Sequence, residues 1–119
     1  MFVIPQKQMR KMEELKRDEF ASRLLKNFRT RNTEFLPEKD DEAVAYISKR
    51  IKESKEWGLE NDSLVEKYVY LCLSYKKMNE KQLPPEYVSI LTWPERSSED
   101  KLTYLHDKLI QDHYVTNAR

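Results

Sequence analysis

Few residues in this chain have both the type and the spacing for chemistry. His106 and His113 are seven positions apart. On a helix that is about two turns, so both fall near one face, but helical metal ligands usually stand three or four apart. Asp107 and Asp112 lie beside them without completing a ligand set. The single cysteine, Cys72, sits in the run Val69-Tyr70-Leu71-Cys72-Leu73, with no adjacent base and no helix start to lower its thiol pKa. It is expected as a small buried side chain rather than a nucleophile. The acids Glu13-Glu14 and Asp40-Asp41-Glu42 have the composition of two-carboxylate chemistry. Charge at helix starts and solvated faces explains them more simply. The basic residues Arg10, Lys11, Lys16, Arg17, Arg23, Lys26, Arg29 and Arg31 interleave with Glu13, Glu14, Asp18 and Glu19. A pI of about 7.8 is low for a dedicated nucleic-acid binder. An acidic protein partner or plain solvation fits these basic residues better.

Composition points the same way. The chain has 119 residues, 36% of them charged, with a formal net charge of +1. One Gly leaves no room for phosphate-cradling glycine loops or dinucleotide fingerprints, and one Cys rules out a disulfide framework and a cysteine-rich zinc site. The reading is of a protein with no enzymatic activity, no metal and no cofactor. No run approaches the roughly 20 apolar residues of a membrane span. The apolar start Met1-Phe2-Val3-Ile4 is too short for a secretory signal. A cytoplasmic location is expected.

The remaining residues must build the scaffold, and their periodicity is helical. Met9, Met12, Phe20, Leu24 and Phe28, widened by Leu15, Ala21 and Leu25, predict a first helix over residues 6–31, with a break before Asp18 where the stripe falters at Lys16-Arg17. Val44, Ile47 and Ile51, with Tyr46 beside them, predict a second over 41–57. Gly58 reads as its left-handed terminator, with Leu59 closing over the end. Asn61 or Asp62 caps a third helix over 62–78, apolar around most of its circumference and therefore central. Pro85 starts a short helix with Val88, Leu91 and Trp93 inward. Ser97 and Ser98 cap a last helix over 99–113, carrying Leu102, Leu105, Leu109 and Ile110. The architecture is a single all-α domain over 1–119, a bundle of four to five helices around residues 64–78, with an N-terminal arm over 1–5 and a frayed tail over 115–119.

Several patterns carry a resemblance through their order. An apolar opening leads to Gln6-Lys7-Gln8-Met9. Phe20-Ala21-Ser22-Arg23-Leu24 then leads to Phe28, and Ile51 begins the approach to Gly58-Leu59. A capped helix bears Tyr68, a short segment from Pro85 ends in Ile90-Leu91, and Asp100-Lys101-Leu102 with Leu105 opens the closing helix. Together these resemble a group of small bacterial helical proteins encoded beside effectors, tip proteins and adaptors of the type VI secretion system. Where that group has a Gly-x-x-Phe-type turn, this chain reads Lys77-Met78-Asn79-Glu80-Lys81. The resemblance implies a non-enzymatic accessory role, as a chaperone or co-chaperone for an effector-loading adaptor, with a protein partner and no cofactor. It supplies no catalytic residue.

The expected contact face is Phe2, Val3 and Ile4, an apolar group at a terminus, together with Arg10, Arg17 and Arg31. Residues 1–31 carry nine Lys/Arg against four Asp/Glu, and residues 32–66 carry five against ten. An immunity protein that blocks a cognate toxin through the acidic 34–42 stretch is one alternative. A small nucleic-acid-binding regulator is another, although nucleic acid is not the expected partner, nor is a membrane.

Overall fold

The sequence periodicity becomes five α-helices and one 3-10 turn among the described residues. The computed structural model describes the backbone of residues 6–31 and 33–117 and the side chains of 12–31 and 33–115. The arm over 1–5, with Phe2, Val3 and Ile4, lies outside the described residues, as do the side chains of Met9 and Arg10.

The first helix, α1 (Gln6–Arg29), runs without interruption through Lys16-Arg17, where a break was expected. Lys and Arg are good helix formers, so a lapse in the apolar stripe does not end the helix. Asp18 lies within the helix and accepts a hydrogen bond from Ser48 Oγ at 2.8 Å. The second helix, α2 (Asp40–Glu56), starts with three acids on its positive end. It lies antiparallel to α1, because Asp40 meets Arg29 at 2.9 Å while Ser48 meets Asp18. Its buried stripe is Ala43, Ile47, Ile51 and Ser54, with Val44 and Tyr46 half-buried. Ser54 satisfies its hydroxyl by donating to the Ile51 carbonyl at 2.6 Å.

Gly58 ends this helix as expected, at φ +82°. Its N–H donates to the Lys55 carbonyl, and the Leu59 N–H reaches back to the Ser54 carbonyl, each at 3.0 Å. This paired pattern satisfies carbonyls that a helix end otherwise leaves open. Leu59 is fully buried over the end.

The third helix, α3 (Asp62–Ser74), is the central one. Asn61 is its cap, accepting from the Ser63 N–H at 2.8 Å. Val65, Tyr68, Val69, Leu71, Cys72 and Leu73 are all buried, against α2 on one side and the closing helix on the other. The helix does not reach Met78: Tyr75 turns extended and a 3-10 turn (Lys76–Asn79) follows, which buries Met78 instead. Helix α4 (Pro85–Leu91) buries Tyr87 and Leu91. The expected inward Trp93 is instead 36% exposed, because the helix ends at Leu91 and Trp93 follows it on the surface. Helix α5 (Ser98–Asn117) buries Leu102, Leu105 and Leu109, while Ile110 is 36% exposed at the edge of the stripe. Ser97 Oγ accepts from the Asp100 N–H at 3.2 Å at its start. The helix extends to Asn117, into the tail expected over 115–119, and residues 118–119 lie outside the described residues.

The α1 stripe needs the largest correction. Ala21, Leu24, Leu25 and Phe28 are buried, but Met12 is 49% and Leu15 63% exposed. Met12 precedes Ala21, and Leu15 precedes Leu24, by nine residues each. That is two and a half turns at about 3.6 residues per turn, so both lie on the face opposite the core.

Candidate binding surfaces

The most connected polar group sits where α2, α3 and the 3-10 turn meet. Asn79 donates through its amide to the carbonyls of Cys72 at 2.6 Å and Tyr75 at 3.0 Å. Its own amide oxygen accepts from the Tyr46 hydroxyl and from Arg50 Nη2. Arg50 pairs with Glu53 at 3.0 Å and lies over the Tyr46 ring. The Tyr68 hydroxyl donates to Glu53 and accepts from Trp57 Nε1 at 3.2 Å. Burial raises the Tyr46 hydroxyl pKa to about 12 and pushes the Tyr68 hydroxyl well above its ordinary value. Each of these hydroxyls stays protonated, and their bonds join elements distant in sequence. The group therefore fixes the turn and the end of α3 rather than moving protons.

Cys72 lies beneath this group, fully buried, and burial first of all pushes its thiol up to about 12. A fully buried thiol held neutral in this way is a poor nucleophile near neutral pH. His106 and His113 do share a face, but what they share is Tyr75. Its ring lies edge-on to theirs at centroid distances of 5.9 and 6.2 Å. No group of three or more His, Cys, Asp or Glu side chains able to hold a metal occurs among the described residues. No helix there is long and apolar enough to cross a membrane.

The expected basic contacts do not converge. Arg17 is half-buried and lines a groove with Phe20, Arg23, Ile51 and Lys55, and its Nε is buried without a hydrogen-bond partner. The same groove carries a fourth base, Lys16, and the four acids Glu13, Glu19, Glu60 and Asp62, so it presents no net charge of either sign. Arg31 lies past the end of α1, over the rings of Phe28 at 5.8 Å and Tyr70 at 5.1 Å. About 20 Å of helix separates the two arginines. The basic first helix and the acidic start of the second meet at Arg29, which bonds Asp40 and the Glu38 carbonyl. Part of the acidic 34–42 stretch is therefore already engaged within the chain.

A surface that the sequence reading did not single out lies between α4 and α5. Trp93 and Tyr104 are exposed, with ring centroids 5.6 Å apart. The Arg96 guanidinium lies over both, at 4.8 Å from Trp93 and 5.7 Å from Tyr104. Arg96 has no carboxylate partner among the described residues, so the edge of its fork is available. A shallow cleft formed by Ser89, Ile90, Thr92, Trp93 and Pro94 adjoins it. The signal was present: Tyr104 lies off the Leu102, Leu105, Leu109 stripe, and Trp93 follows a helix that has already ended. Trp, Tyr and Arg are the residue types that concentrate binding energy in protein interfaces. No family model, curated protein or solved structure matches the chain.

Proposed function

We propose that this chain is a non-enzymatic, protein-binding accessory factor, a chaperone or co-chaperone that helps load a type VI secretion effector or adaptor. The Trp93–Arg96–Tyr104 cluster is the observation that carries the protein-binding part of this reading. The two rings offer flat apolar area at low conformational cost. Arg96, already held flat by them, offers its donors to a partner carboxylate or backbone carbonyl without first being ordered. The resemblance of the ordered helix motifs supports the type VI part.

The test is to identify the proteins encoded by the neighbouring genes and to titrate the purified chain with any effector or adaptor among them, by calorimetry. Wild type binds one of them, and Trp93→Ala and Arg96→Ala each weaken binding at least tenfold without changing the thermal midpoint. Equal binding by both variants would remove the cluster from the contact. Tight one-to-one inhibition of an enzyme encoded next to it would replace this reading with that of an immunity protein.

A further inference from the structure

The outward face of α5 continues the Trp93–Arg96–Tyr104 cluster, and its residue types specify what docks there. Of the seven large apolar or aromatic side chains exposed among the described residues, five are Trp93, Tyr104, Ile110, Tyr114 and Val115. Positions 100, 104, 107, 111 and 114 are spaced by four, three, four and three residues, the spacing of a seam along which two helices pair. They read Asp, Tyr, Asp, Gln, Tyr and are all exposed, on the side away from the buried Leu102, Leu105 and Leu109. Ile110 and Val115 border the row, which runs for about 21 Å at 1.5 Å per residue. Helix α4 leaves it open, because α4 meets the flank of α5 at Lys108 and Asp112, through Glu86 and the Tyr87 hydroxyl.

The charge along the row has one sign. Asp100 and Asp107 are two turns apart, and neither has an ion-pair partner among the described residues. The bases of this helix, Lys101 and Lys108, lie half-buried on the flank towards α4, and Lys108 is already paired with Glu86 and Asp112. Arg96 stands at one end, held over Trp93 and Tyr104, and leaves Asp107 in the middle of the row unopposed. A second copy paired along this seam would set Asp107 against Asp107, whether the helices ran parallel in register or antiparallel about the centre, and like charges repel. We propose that the face docks a basic amphipathic helix of the partner protein, with Lys or Arg side chains two turns apart over Asp100 and Asp107 and apolar side chains against Tyr104 and Tyr114. The rings favour the same cations as the carboxylates do. At the Arg96 end the partner supplies an acceptor. Exposed charge pairs are individually weak, so the apolar contacts carry the affinity and the acids decide which helix fits. The inference rests on the protein-binding reading of the cluster and adds the charge and secondary structure of the partner.

The experiment is an NMR titration of the isotope-labelled full chain with two synthetic helical peptides of about four turns, the length of the row. Both carry the same leucine stripe; one has Lys at seven-residue intervals beside it and the other has Glu at those positions. The Lys peptide shifts the amide signals of Asp100, Tyr104, Asp107 and Tyr114, and the Glu peptide does not. Asp107→Lys, an exposed mid-helix change that keeps the wild-type thermal midpoint, weakens the Lys peptide about fivefold at low salt as one exposed pair turns repulsive, and added salt shrinks the difference. The same variant binds the Glu peptide more tightly than wild type does. Equal binding of the two peptides to wild type, shifts that map away from α5, or an unchanged preference in Asp107→Lys overturns the proposal. A natural partner weakened by Trp93→Ala but by neither Asp107→Lys nor Tyr114→Ala also overturns it, while leaving the protein-binding reading of the cluster in place.

Discussion

The Asn79 amide nitrogen lies 2.6 Å from the carbonyl oxygen of Cys72, so a side chain from the 3-10 turn closes the helix that precedes it. The last carbonyls of a helix have no partner within it. Here no residue other than Gly58 adopts positive φ among the described residues, and α3 ends with Tyr75 extended. An asparagine does at this end what a glycine turn does at the end of α2.

Replacing Asn79 with Leu is therefore expected to cost about 1–3 kcal/mol, the loss of several hydrogen bonds each with a net value of roughly 0.5–1.5 kcal/mol. The Tyr46 hydroxyl keeps only its 3.2 Å bond to the Cys72 carbonyl, Arg50 keeps only Glu53, and the Cys72 and Tyr75 carbonyls each lose one of two donors. Chemical denaturation measures this as a lower midpoint with an unchanged slope. An unchanged midpoint would mean that water replaces the amide at no cost.

At Gly58 the expected effect is conformational. A Cβ there would meet nothing within 4 Å, yet φ is +82°. Gly58→Ala should lower stability by about 1–2 kcal/mol through the left-handed backbone alone. Gly58→Asn should cost less, because asparagine tolerates this region. Thermal unfolding of the two variants side by side tests the order.

The thiol of Cys72 should be inert in the native state. It is fully buried and its pKa is raised to about 12, chiefly by burial. A disulfide reagent at neutral pH should label it only at the rate at which the chain opens, and at once in denaturant. Rapid native labelling would show that the α2–α3 interface opens locally.

Acid should loosen the packing of α4 on α5. The Tyr87 hydroxyl donates to Asp112 at 2.5 Å, and this bond, helped by Lys108, holds the carboxyl below its usual range despite partial burial. A lowered folded pKa adds stability above the unfolded pKa, and that stability is lost as pH falls through the folded value. The contribution should thus be intact at neutral pH and disappear below about pH 4. Tyr87→Phe should flatten this part of the pH–stability curve, as read from denaturation midpoints. Parallel curves for variant and wild type would show that the bond is not the source.

In the core, Leu71→Ala should cost roughly 2–5 kcal/mol, the range for truncating a fully buried side chain. Leu71 is fully buried on the helix that α2 and α5 enclose. A thermal midpoint equal to wild type would contradict the central position of α3.

The sequence by itself determined the all-α class, the approximate span of each helix, the left-handed end at Gly58 and the central place of α3. These follow from signals within a few residues: a 3.6-residue apolar period, a capping side chain, a proline at a helix start, a single glycine after an apolar stripe. An apolar residue, though, is buried only if another element covers it, and that element can lie anywhere in the chain. So Met12 and Leu15 read as core but face outward, since the helices that cover Ala21 and Leu24 leave the opposite face of α1 open. Tyr87, rather than Trp93, turned out to be the inward aromatic because α4 ends at Leu91. The tertiary structure also brought Asn79 to Tyr46 across 33 positions and set Arg96 over both Trp93 and Tyr104. Neither meeting is encoded in local spacing, because both depend on how helices formed independently are packed together.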